Sequence, residues 1–187
     1  MLKIVVPAWE DWDPKNEKFI QGREVSLTLE HSLVSVSKWE AKYHKSFTSN
    51  TKPTEQEMRD YIQFMVIKHL CRPNTEDIEQ VCKHLSAENM REIEDYTRDS
   101  MTATTFSNRG GKKPGGKQIV TAELVYYWMI SFNIPFECQH WHFNKLMTLI
   151  RICEIKNQPS KKMGRKEQAA QTRSLNAARR AKHHSRG

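Results

Sequence analysis

Residues 120–153, VTAELVYYWMISFNIPFECQHWHFNKLMTLIRIC, hold the densest apolar and aromatic run in the chain, and their reading decides the fold. Thr121 is placed to cap a helix over 122–132, which is almost wholly apolar after Glu123 and so reads as buried on most of its sides. Asn133 and Pro135 close it, because the residue before a proline is pushed out of the α region. A second helix follows over 136–156, with Phe143, Leu146, Met147, Ile150 and Cys153 recurring on one face. The stretch therefore reads as a helical hairpin at the centre of a core. Helix, Asn-Ile-Pro turn and helix also have the outline of a DNA-reading helix-turn-helix. The positions that such a motif fills with apolar residues fall near Gln139 and His142, and Tyr126, Tyr127, Trp128 and Met129 are too bulky for its close helix approach. The buried hairpin is the reading kept.

Outward from there, the chain is expected to be mainly α with a small N-terminal β-hairpin, an α+β class. Residues 1–6 and 24–30 read as two strands, the second with alternating Val25, Leu27 and Leu29, joined by a long turn-rich connection. Ser32 starts a helix carrying Leu33, Val36, Trp39 and Tyr43 at helical spacing. Thr54 with Glu57 three residues on forms a capping box, and that helix is expected to run through Met58, Ile62, Met65 and Val66 to about Leu70, before Pro73. Asn74 and Ser86 are candidate caps for two shorter helices, burying Ile78, Val81 and Cys82 in one and Met90, Ile93 and Tyr96 in the other. Residues 100–117 read as a loop.

The 187 residues suffice for a real core, and the charge divides them. Nine of the 30 Lys and Arg lie in 157–187 against Glu167 alone, so this tail is +8 and the other 156 residues hold 21 of each sign. The expectation is one mostly helical domain over 1–156, with a Gly/Lys-rich loop at 108–117, and a basic, flexible or conditionally helical tail over 157–187. No apolar run reaches the roughly 20 residues of a membrane span, and the opening MLKIVVPAWEDWD turns acidic too soon for a signal peptide. Four unpatterned cysteines point to reduced thiols. A soluble cytoplasmic protein without a membrane partner is expected.

Candidate chemistry is sparse. Gly111 to Lys117 matches G-x-x-x-x-G-K, but Gln118 stands where magnesium needs Ser or Thr, and no apolar strand leads in. His69 with Cys71, Cys82 with His84, and Cys138 with His140 and His142 sit one residue apart, too close along the chain for the usual zinc-ligand spacing. No nucleophile elbow or H-E-x-x-H occurs. The reading is a non-enzymatic protein with no catalytic residues, metal or cofactor. The candidate contact residues are the basic ones of the tail: Lys161, Lys162, Arg165, Lys166, Arg173, Arg179, Arg180, Lys182 and Arg186. They suit a phosphate backbone or an acidic protein surface, without aromatics for base stacking.

Three passages carry a resemblance: VSLTLEHSLVSVSKWEAKYHKSF (25–47), ELVYYWMISFNIPFECQHWHFNKLMTLI (123–150) and SLNAARRAKHHSRG (174–187). In them the chain resembles small morphogenesis proteins of long-tailed bacteriophages, in particular tail assembly chaperones. The resemblance implies a non-enzymatic protein that holds the long helical tape-measure protein soluble until tail-tube subunits polymerise around it, and it carries over no site residues. Eight methionines suit such a role, since Met-rich apolar grooves adapt to amphipathic client helices. The alternatives are a nucleic-acid-binding protein acting through the tail, and a structural component of the particle. Homo-oligomerisation stays open.

Overall fold

The computed structural model describes residues 1–14, 16–49, 51–73, 77–106, 119–157 and 164–183. The chain divides into two units, Met1–Cys153 and Glu154–Gly187. The first is α+β and mostly helical, with its strands at the N-terminus.

Strand β1 (Leu2–Val6) pairs antiparallel with β4 (Val25–Leu29), setting Ile4 opposite Leu27 and Val6 opposite Val25. Between them β2 (Trp9–Asp13) and β3 (Lys18–Gly22) form a second, separate hairpin where the sequence reads as turns. Its alternation is hidden by composition, because the partly covered positions Trp9, Asp11 and Asp13 include two carboxylates. Trp9 lies across from Gly22, whose missing side chain leaves room for the indole; a Cβ there would overlap the ring. The indole also stacks on His84 at 4.8 Å, and Asp11 accepts from Gln80 at 2.7 Å and pairs with the His84 Nε2 at 2.9 Å. The hairpin is thereby pinned to α3 (Ile78–Lys83).

Strand β4 is buried along almost its whole length because both of its edges are covered. One edge holds β1. Along the other runs the exit of α2 (Glu55–Met65): the Glu30 amide donates to the Met65 carbonyl, Ile67 to Thr28, and Ser26 and Arg72 exchange two bonds. This explains why α2 ends at Met65, short of the expected Leu70. Val66 and Ile67 are β-branched and extend to satisfy β4, and a 3-10 turn over Lys68–Leu70 follows.

Helix α1 (Leu33–Tyr43) buries Leu33, Val36 and Trp39, as its spacing predicts. The Thr54 capping box on α2 is present in both directions. Lys45 donates to the Glu57 carboxylate at 2.7 Å and holds its pKa below the ordinary value, with the Thr54 amide adding to the effect. Asp77 caps α3; the expected cap, Asn74, lies outside the described residues. Ser86 caps α4 (Ala87–Arg98) through a box completed by Asn89.

Thr121 caps α5 (Ala122–Ser131), accepting from the Leu124 amide. Asn133 ends it in the left-handed conformation at φ 53°, and the Ile134 and Asn133 amides return to the Met129 and Ile130 carbonyls in a Schellman pattern. Two expectations for this region are corrected. Only Ala122, Val125 and Met129 of α5 are buried; Tyr127 and Ile130 are 62% and 61% exposed, so the helix has one buried stripe, not burial on most sides. The next α-helix, α6 (Phe143–Asn157), begins seven residues later than expected. Residues Phe136–His140 form a 3-10 turn, and His142 bridges to Ser32 while the Phe143 amide donates to the His31 carbonyl at 2.8 Å. Pairing to the chain after β4 wins over helix propensity here, as it does at the end of α2. Phe143, Leu146 and Ile150 then face the core, with Met147 and Cys153 partly covered.

In the second unit, α7 (Arg165–His183) is a helix of 19 residues. The composition boundary at 156/157 falls three residues beyond the division of the units. The loop at 108–117 and its G-x-x-x-x-G-K letters lie outside the described residues.

Candidate functional site

A groove of about 430 Å³ opens between α2, α4 and the start of α6. Helix α2 lends Met58, Tyr61 and Ile62, spaced i, i+3, i+4 so that all three fall on one face. Met90 and Ile93 of α4 join them in the lining, with Phe143 and Phe47. Arg91, Glu94, Thr48 and Asn144 supply a polar margin. Asn144 fixes the corner, donating to the Thr97 and Asp99 carbonyls at 2.9 and 2.7 Å, where α4 leaves its last carbonyls without helical partners.

His31 forms the polar part of the wall, and it is buried. Its Nδ1 bonds the Tyr61 hydroxyl, its ring sits edge-on to Tyr61, His142 and Phe143, and its amide donates to the Tyr96 hydroxyl at 3.5 Å. Burial, with the neighbouring His142, lowers the His31 pKa to about 3. His142 is lowered too, chiefly by burial, and its Nε2 donates to the Tyr96 carbonyl at 2.9 Å. Burial raises the Tyr61 hydroxyl well above its ordinary value. Near neutral pH the inner wall therefore carries no charge. An imidazole neutral down to about 3 is a weak base, so the arrangement suits the housing of apolar groups better than the movement of protons. The volume lies within the range of sites that take small molecules or clustered side chains.

The sequence singled out Met90, Ile93, Met58 and Ile62 as inward residues, but not the space between them. The groove needs five segments to meet, and no local spacing reports that. His31 gave no local signal either: it stands between Glu30 and Ser32 at the strand-to-helix junction.

Of the basic tail residues, Arg173, Arg179, Arg180 and Lys182 lie exposed on α7. Arg165 and Lys166 fall in its first turn, and Lys161, Lys162 and Arg186 lie outside the described residues. Cys138 is buried whereas His140 is exposed and pairs with Glu30 at 3.1 Å, so these two side chains point to different surroundings. Cys71, Cys82, Cys138 and Cys153 are free thiols. Among the described residues no group of three or more His, Cys, Asp or Glu is placed to hold a metal ion, and no helix is long and apolar enough to cross a membrane. No protein-family model matches the chain, and no curated protein or solved structure matches it.

Proposed function

We propose that the Met1–Cys153 unit is a non-enzymatic assembly chaperone of the phage-tail type, holding helical segments of a tape-measure-like client by their apolar anchors. The observation that supports this is the groove: two facing helices with Met58 and Met90 at its mouth, an uncharged inner wall and a polar margin. A client helix laid across it places anchors at i and i+3 or i+4 into the space, while its polar face meets Arg91 and Glu94 at the rim. Unbranched methionine side chains accommodate successive client segments of different shape. Exposed Tyr127, Ile130 and Phe136 extend the apolar surface available to a protein partner elsewhere on the unit.

The test is a tagged pull-down from the native lysate, nuclease-treated and washed at about 0.5 M salt, which screens exposed charges but spares apolar contacts. A long helical protein is retained by the wild type and lost by Met90→Lys, which puts an ammonium into the groove mouth. Retention unchanged by Met90→Lys, or no protein retained at all, overturns the reading.

A further inference from the structure

The second unit presents a feature that the groove does not use. Every residue of helix α7 from Ala169 to Lys182 is exposed, including Leu175, and its weakly apolar side, Ala170, Ala177, Ala178 and Ala181, carries nothing larger than a methyl group. Arg173 and Arg180 are seven residues apart and so share one side; Arg179 and Lys182, three apart, lie on others. Among the described residues none of these four takes part in an ion pair. The stretch 157–187 is +8 and the rest of the chain is formally neutral, so the charge is not matched within the chain.

We propose that α7 binds the phosphodiester backbone of a nucleic-acid duplex, without reading sequence. Nineteen residues make a rod of about 28 Å, close to one turn of B-form DNA, whose major groove admits a single helix between two phosphate rails. Cations on several sides of the rod meet rails on both sides. The tail has no aromatic residue to stack on splayed bases, which favours a duplex over a single strand. Arg179 and Lys182, at i and i+3, repel one another in the free helix, and phosphates relieve that repulsion, so binding and helicity rise together.

The experiment is fluorescence anisotropy of the full chain with a labelled mixed-sequence DNA duplex of about 20 base pairs between about 50 and 200 mM salt, with circular dichroism of the same mixtures. The comparison protein carries Arg173→Gln, Arg179→Gln, Arg180→Gln and Lys182→Gln, which keep helix propensity nearly constant. Wild type is expected to bind with a steep salt dependence and a gain in helicity. The fourfold variant is expected to lose at least about tenfold in affinity near 0.1 M salt and to flatten the slope of log K against log salt by about 3–4. Absence of binding at about 50 mM salt, or a variant indistinguishable from wild type, overturns the proposal. So does polyglutamate that displaces the duplex at equal charge concentration, because the helix then serves an acidic protein surface. The substitutions leave the groove untouched, so this outcome and that of the Met90→Lys pull-down are independent.

Discussion

Glu40 shows how much one side chain holds in this fold. Its buried carboxylate accepts from the Phe47 amide through Oε1 and from the Ala122 amide through Oε2, both at 2.7 Å, and so ties the turn after α1 to the first residue of α5. Glu40→Ala leaves both amides without their acceptor and is expected to lower the unfolding free energy by about 2–4 kcal/mol, measured by urea denaturation. His31 makes the complementary case in pH. Above about 6.5 both folded and unfolded chains hold its imidazole neutral. Below that the unfolded chain takes up a proton that the folded one refuses until about 3, so stability falls with falling pH across this window. Between pH 7 and 5 the wild type should lose about 2 kcal/mol more than His31→Asn from this group alone, read from denaturation midpoints at the two pH values. A variant with the same pH profile as wild type would show that the buried imidazole is not the cause.

At the scale of elements, local signals were readable wherever the chain satisfies itself locally. The box at Thr54, the caps at Ser86 and Thr121 and the closure at Asn133 involve partners within a few residues, so the sequence displays them. Asn89 completing the second box was a finding of the structure. Failures came where distant backbone competed. Val66–Ile67 and Trp141–His142 fall inside the helices expected to run to about Leu70 and from Phe136, yet both are extended because the segment 26–32 offers donors and acceptors that a helix would leave unused. The β2–β3 hairpin has no local signal because its packing depends on a glycine opposite a tryptophan and on a histidine more than seventy residues from the residues it touches. Gly22→Ala should push the Trp9 indole off His84, cost about 1–3 kcal/mol, and remove hydrogen-exchange protection from β3 while leaving β4 protected.

For the whole molecule, charge and shape are separated between the two units. The groove belongs to Met1–Cys153, and all nine basic residues singled out for contact belong to Glu154–Gly187. A chain ending at residue 157 is therefore expected to keep its thermal midpoint and its salt-resistant client while losing duplex binding, as checked by calorimetry and the two binding assays. That division was legible in the charge count. The groove was not, because it arises only when residues from 31 to 144 are brought together.

The position of β4 sets a timetable for synthesis. When residues 25–29 leave the ribosome β1 can join them at once, but the segment that covers their other edge comes some forty residues later, and the Phe143 amide that closes the chain at His31 comes 112 residues after it. At about 5–20 residues per second, the first strands wait about 6–20 s beside an unfinished core. A nascent chain stalled before residue 143 should thus present the unpaired His31 carbonyl to whatever is near, until the start of α6 emerges to take it.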